Sequence, residues 1–283
     1  MRTARSNRER QHAKLRYRGR MKLVPVIVLL TACAHKREPA PEDVDGLSHW
    51  LFANHDDDEL LAEGMTNLAP WLVTNADTEA SQDGYVLTDF IAEELVSITY
   101  PDRDLTAMVG VAVPGVSPYD VLDHGVLMLL PDQTWNDAGT FEVYERVVTE
   151  GDEDAFAAGT GRIRTTNTID KKGAFGVHIP YVLFKDFAWV PVEGAGSAIV
   201  ARSWVAEESC ADGGDSNCLF LSFSVDLWYG DVPGHTIRMT SGWNELKTSA
   251  DSILSDEDRV GLMVNGVHDI FENTDALLAE GAP

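Results

Sequence analysis

From residue 141 onward the chain is a series of strand-like segments that ends in one long amphipathic segment, and this order limits its possible folds. The clearest segment is Cys218–Tyr229, in which apolar residues alternate with Ser222, Ser224 and Asp226. This alternation predicts an antiparallel strand with one buried face and one solvated face. Six segments of this kind, bounded by Gly, Asp or Pro turns, cover 141–149, 161–170, 181–192, 198–207, 218–229 and 235–246.

The segment after Ser255 has the pattern of a long helix. Ser255 and Asp258 have the spacing of a capping box, and apolar residues then recur at helical spacing from Val260 to Leu278. A helix of roughly 23 residues is about 35 Å long, which is enough to cross a whole sheet. Since strands and helix are segregated along the chain, the sequence predicts an α+β fold.

The residues before the sheet favour helices. Apolar residues recur at helical spacing over 44–52, a second helix opens at Asn54 or Asp56, and Pro70 ends or kinks it. A third helix is predicted over 88–98.

The pattern then changes to a strand over 105–113, which Pro114 is expected to stop. We therefore predict a helical segment over 46–103 and a sheet domain over 104–283.

The N-terminus has the features of a secretory signal. Residues 1–20 hold seven Arg, one Lys and a single acid, and a short apolar run over 23–30 follows Met21-Lys22. A basic region, about eight apolar residues and small residues before a cut site indicate a signal peptide over 1–32. The apolar run is too short to span a bilayer. Both Met1 and Met21 fit as the start of such a signal.

Leu30-Thr31-Ala32-Cys33 resembles the lipobox of bacterial lipoproteins. The resemblance implies that Cys33 is diacylated on sulfur and becomes the new N-terminus, with residues 33–45 as lipidated Cys and polar tether. His35, which is not an acid, implies an outer-membrane location in the bacterial envelope. The alternative is a cysteine that follows an ordinary signal peptide.

Removal of residues 1–32 makes the chain more acidic. The whole chain carries a formal charge of −24, and the remainder has 13 Lys and Arg against 45 Asp and Glu, a charge of −32. Phosphate binding needs clustered basic residues, so the composition excludes nucleic acid. It favours apolar, neutral or cationic partners, and protein partners remain unknown. No acidic run has the EF-hand spacing, so no metal site is predicted.

Cys210 and Cys218 flank a Gly-rich segment. An even pair of cysteines in an exported protein indicates a disulfide. The rival interpretation is a metal site, but two cysteines without a nearby histidine make a poor zinc ligand set.

Three short stretches resemble the START and polyketide-cyclase-like families. They are Val109–Val121, Lys185-Asp186-Phe187 followed by Trp189, and Ile237-Arg238-Met239 leading to Gly242-Trp243. Lys185 stands where the family often has Arg, and the resemblance covers roughly 104–280. It implies a helix-grip fold, in which a curved antiparallel sheet grips the long C-terminal helix and leaves an apolar tunnel between them.

The resemblance implies a ligand, a lipid or other apolar small molecule, bound between the sheet and the C-terminal helix. No nucleophile motif or cofactor fingerprint is present, so neither catalytic residues nor a cofactor are predicted. The residues expected to line the cavity are Phe187, Trp189, Trp204, Phe223, Met263, Val267 and Phe271.

Two other functions remain open. One is a structural or interaction lipoprotein with a filled core, which a cavity below about 300 Å³ would favour. The other is an enzyme that uses the same cavity, with His178 or His235 as base and Asp186 or Glu245 as its partner.

Overall fold

The computed structural model describes residues 38–137, 139–172, 178–194, 196–211, 214, 217–248 and 255–281. The chain from residue 39 onward forms one compact unit. The predicted signal peptide and the lipidation site Cys33 lie outside the described residues. No helix among those described is both long and apolar enough to cross a membrane.

A curved antiparallel sheet forms the centre of the unit. Its described strands are β1 (Tyr85–Leu87), β2 (Val109–Ser117), β3 (Phe141–Gly151), β4 (Arg162–Lys172), β5 (His178–Val192), β6 (Gly196–Val205), β7 (Ser209–Cys210), β8 (Cys218–Val232) and β9 (His235–Lys247). The order across the sheet is β1-β2-β9-β8-β6-β5-β4-β3, and β7 pairs with β8. The six strands predicted from residue 141 onward are all present.

Six α-helices lie within the described part of the chain. They are α1 (Val44–Ala53), α2 (Asp58–Asn75), α3 (Glu79–Asp83), α4 (Val121–Leu127), α5 (Glu153–Ala157) and α6 (Asp256–Ala279). The capping box of Ser255 and Asp258 is formed at the start of α6. Along α6, Val264 packs on Val111 and Val113 of β2. The predicted fold class, an α+β helix-grip arrangement with N-terminal helices, is thus confirmed.

Helices α1 and α2 cover one face of the sheet, which we call the N-terminal face. Phe52 of α1 and Met65 of α2 belong to the same buried core as Phe223 and Val225 of β8. Ala40 is also buried, and its amide donates to Glu63 of α2 at 2.9 Å. The last part of the predicted tether and the helical segment therefore belong to the same compact unit as the sheet.

The prediction of a helix over 88–98 is wrong, since a 3₁₀ turn at Ala92–Leu95 is the only helical element in that segment. The carbonyl of Thr88 accepts hydrogen bonds from the indole of Trp243, at 2.8 Å, and from the ring of His49. Phe90 and Leu95 are both buried in the core. These contacts with the sheet and α1 fix the backbone in an irregular path.

Strand β2 continues through Pro114, where the sequence predicted a stop. On one side, β1 pairs only with Gly110–Ala112, so beyond Ala112 this side of β2 is a sheet edge. Proline is tolerated at an edge because its missing N–H breaks no ladder hydrogen bond there.

The prediction of a solvated face on β8 is also wrong. Ser224 and Asp226 point away from the N-terminal face, but Asp226 is only 7% exposed. Together with Lys185 and Phe187 of β5, they face a cavity beneath α4 and α6. We call this side of the sheet the cavity face. The central strands are covered on both sides.

A buried ion network ties the N-terminal face to the helices above it. Arg202 of β6 is 1% exposed and donates to Asp186 of β5 at 3.0 Å and to Asp56 at 2.7 Å. It also donates to the hydroxyl of Ser97 at 2.9 Å. Arg164 of β4 binds Asp186 with two hydrogen bonds, of 2.6 and 3.0 Å. Although burial opposes it, the hydrogen bonds from Arg164 and the charge of Arg202 hold the pKa of Asp186 below its usual value.

We expect Arg202→Met to lower the free energy of unfolding by about 3 kcal/mol, because removal of one partner leaves buried polar groups uncompensated. The matched control is Lys172→Met, which removes a half-exposed pair with Glu142 and should cost less than about 1 kcal/mol. Urea unfolding at neutral pH measures both changes. Equal small losses would show that the network does not hold the helices on the sheet.

Candidate functional site

A cavity of about 230 Å³ lies between the cavity face of the sheet and helices α4 and α6. Ile270, Phe271 and Thr274 of α6 close one side, and His124 and Met128, in α4 and at its end, line another. Most of the lining is apolar. Its aromatic residues are Trp135, Phe141, Tyr144, Tyr181, Phe187, Trp228 and Phe271.

The structure brings two of the seven predicted lining residues into this cavity, Phe187 and Phe271. Trp189 lies near it but packs against Phe156 of α5, and its indole donates to the Phe156 carbonyl at 2.9 Å.

The other four predicted lining residues lie elsewhere. Trp204 and Phe223 belong to the core on the N-terminal face. Met263 and Val267 pack with the valines of β2. The period of two along each strand separates Phe223 from the cavity, because its neighbour Ser224 points there instead.

An ion pair lies on the cavity face. The ammonium of Lys185 donates to Asp226 at 2.5 Å, and the two side chains are 12% and 10% exposed. Asp226 also accepts hydrogen bonds from the hydroxyls of Ser224, at 3.0 Å, and Thr240, at 2.8 Å. Both carboxylate oxygens therefore have partners.

A polar cluster joins residues of β2, α4, β9 and α6. Arg238 of β9 forms two hydrogen bonds with Asp275 of α6, at 2.9 and 2.8 Å, and Asp275 accepts a third from the hydroxyl of Ser117 at 2.6 Å. The single hydroxyl hydrogen of Ser117 is thereby used, and the ring Nε2 of His124, 3.0 Å away, must donate to Ser117. His124 Nδ1 is then a bare acceptor, and it is buried without a partner.

Burial, aided by the charge of Arg238, lowers the pKa of His124 to about 3. The ring is therefore neutral at physiological pH. It offers the cavity region one unused hydrogen-bond acceptor.

This Ser-His-Asp cluster is not arranged as a catalytic triad. In a triad the carboxylate binds histidine Nδ1 and orients the ring as the base. Here Asp275 binds Ser117 directly, and Nδ1 of His124 has no partner. Sequence reasoning missed the cluster because its members come from three separate elements and form no linear motif.

The histidines proposed as bases lie outside the cavity lining. His178 is exposed and contacts Asp170 at 3.2 Å. His235 contacts Asp231 at 2.6 Å in the turn between β8 and β9. Of their two suggested partners, Asp186 lies on the N-terminal face, and Glu245 forms an ion pair with Arg103. Neither lines the cavity.

One group of side chains on the N-terminal face has metal-ligand composition. Ligand atoms of His55, Asp56 and Asp186 lie within 4.8 Å of one another. Arg202 already binds both carboxylates, and Arg162 lies 3.5 Å from the ring of His55. Since these cations repel a metal ion, we interpret the group as part of the ion network.

Cys210 and Cys218 form the predicted disulfide. It joins β7 to the start of β8, where the two residues are partners in the strand register. The bond lies outside the cavity lining and ties the short strand β7 to β8.

No family model matches the chain, and no curated protein matches it in sequence. Solved structures resemble part of it. A protein from Thermus thermophilus is 15% identical, with a TM-score of 0.42 over 62% of this chain and 99% of that one. A STAR-related lipid transfer protein from Xanthomonas axonopodis is 8% identical, with a TM-score of 0.40 over 63% and 97%. The Zhui aromatase/cyclase from a Streptomyces species is 8% identical, with a TM-score of 0.34 over 60% and 96%.

His124 makes the stability of the protein depend on pH. Its pKa is about 3 in the folded state and about 6.5 when unfolded, so below pH 6.5 only the unfolded chain gains the proton. Stability therefore falls as the pH drops, and this residue should contribute about 2 kcal/mol of the loss between pH 7 and pH 5.

We expect His124→Gln to reduce the difference in unfolding free energy between pH 7 and pH 5 by that amount. Urea unfolding of the native chain and of His124→Gln at the two pH values tests this expectation, and an unchanged pH dependence in the variant would contradict the assignment.

Proposed function

We propose that this protein is a lipid-anchored protein of the bacterial envelope whose folded unit binds a compact, mainly aromatic small molecule. The observation that carries the proposal is the aromatic-lined cavity between the sheet and α6. Phe187 and Phe271 face it from opposite sides. Burial of apolar surface, at about 25 cal/mol per Å², supplies the affinity.

The size of the cavity limits the ligand. An engineered cavity of about 150 Å³ holds benzene, so 230 Å³ favours a molecule of one or two rings. A diacyl lipid is too large unless α6 moves away from the sheet. The cavity volume therefore limits the predicted ligand, a lipid or other apolar small molecule, to compact molecules.

The second candidate is a structural or interaction lipoprotein without a ligand. The cavity volume favours it, because 230 Å³ lies below the roughly 300 Å³ at which ordinary ligand pockets begin. The two candidates differ in whether a two-ring molecule enters the cavity, so a binding experiment separates them.

The lipid anchor rests on the lipobox-like residues 30–33. The compact unit begins at Pro39. Six residue steps from Cys33 to Pro39 span at most about 20 Å, so acylation would hold the folded unit close to the membrane surface. Two acyl chains suffice for stable anchoring.

We expect 1-naphthamide, a neutral two-ring probe, to bind the purified full chain saturably in isothermal titration calorimetry. Leu183→Trp fills the cavity from β5 and should weaken binding at least tenfold. The matched control, Val182→Trp, places the same side chain on an exposed neighbour and should leave binding unchanged. Absence of binding to the native chain, or equal affinity in both variants, would favour the structural candidate.

We expect Cys33→Ser to abolish incorporation of labelled palmitate during expression in a bacterium, because serine offers no thiol for the acyl group. The variant should leave the membrane fraction. Thr31→Ser keeps a small residue in the lipobox-like sequence and should retain both label and membrane association. Labelled Cys33→Ser protein would show that the anchor is elsewhere or absent.

A further inference from the structure

Arg146 of β3 is a buried cation on the cavity face. Its side chain lines the cavity, and the residue is 6% exposed. The guanidinium donates from Nε to Asn167 at 2.8 Å, from Nη1 to the carbonyl of Met128 at 2.7 Å and from Nη2 to the hydroxyl of Tyr144 at 3.3 Å. All three acceptors are uncharged.

Arg146 differs in this respect from the other buried cations in the described part of the chain. Arg202 is paired with Asp186, Arg238 with Asp275 and Lys185 with Asp226. No carboxylate among the described residues lies within salt-bridge distance of Arg146. Asp226 lies outside salt-bridge distance of Arg146. Burial lowers the pKa of Arg146, and the charge of Asp226 offsets this only in part.

The charges around the cavity do not cancel. Its charged lining residues are Arg146, Lys185 and Asp226, and the last two form an ion pair. His124, the histidine in the lining, is neutral. One positive charge is therefore left inside an aromatic cavity, where an ion without a partner is poorly stabilised.

The hydrogen bonds of Arg146 leave room for a further partner. A guanidinium has five N–H groups, and three of them are used here. One N–H on each terminal nitrogen remains. Two such donors match the two oxygens of a carboxylate, which arginine binds as a fork.

From this geometry we propose that the ligand is a compact aromatic carboxylate, whose acid group binds Arg146 while its ring lies among the aromatic side chains of the cavity. This inference rests on the proposed function and adds the chemical class of the ligand. Phe187 lies beside Arg146 in this cavity, with its ring centre 5.2 Å from the guanidinium carbon, so a ring packed on Phe187 would be near that cation. A bound carboxylate would supply the counterion that the protein lacks.

The test compares 1-naphthoate with 1-naphthamide, two probes of nearly equal shape that differ in charge. We expect the purified full chain to bind the acid at least tenfold more tightly than the amide in isothermal titration calorimetry. Arg146→Met should abolish that preference, and Arg146→Lys should restore part of it. Lys172→Met, which removes an exposed charge from the neighbouring strand, should leave the preference unchanged.

A second measurement needs no variant of Arg146. In ¹⁵N-labelled protein, saturation with 1-naphthoate should shift the Nε–H signal of Arg146 further than saturation with 1-naphthamide, because only the acid brings a negative charge to the guanidinium. Equal affinity for the two probes in the native chain would overturn the inference and leave the proposed function standing. Binding of neither probe would overturn both.

Discussion

The sheet is covered on both faces, so each charge on its central strands must find a partner inside the protein. Lys185 and Asp186 are neighbours on β5, and the period of two sends their side chains to opposite faces. Asp186 meets Arg202 and Arg164 under the N-terminal helices, whereas Lys185 meets Asp226 at the cavity. The position of the helices and the chemistry of the cavity both follow from this constraint.

On the N-terminal face, the constraint makes the helical segment part of the sheet domain. Arg202 projects from the sheet, but two of its partners, Asp56 and Ser97, belong to the residues before β2. Without those residues the guanidinium would lose partners, and the apolar surface under α1 and α2 would be exposed. The helical segment therefore completes the fold of the sheet.

The sequence predicted the positions of the strands and helices better than it predicted what packs against each of their faces. Alternation located β8 and the capping box located α6, because both are local properties of the chain. Alternation shows which residues share a face, but not what covers that face, so the polar face of β8 was expected to meet solvent. The same limit explains why Phe223 was expected in the cavity: it shares a face with Val225, and that face packs on α1.

The sequence could have predicted some of the charged residues of the cavity, but not all of them. Asp226 and Lys185 are charged residues on strands that are mostly apolar, and this pattern is a usable signal for a buried polar site. Arg146 carries no such signal, since its lack of a carboxylate partner depends on the packing of β3, β4 and the end of α4. Whether an arginine lacks a carboxylate partner depends on the tertiary structure, so the spacing of residues along the sequence does not predict it.

The net charge of the chain and the local charge inside the cavity favour different kinds of ligand. The acidity of the chain favours apolar, neutral or cationic partners, but that inference applies to the surface. At physiological salt a surface charge is screened over about 8 Å, so surface acids well beyond that distance act only weakly inside the cavity. A single guanidinium at about 4 Å contributes on the order of 4 kcal/mol in a partly buried setting. For the proposed ligand, the sign of the charge is therefore set by Arg146, the cavity cation without a carboxylate partner.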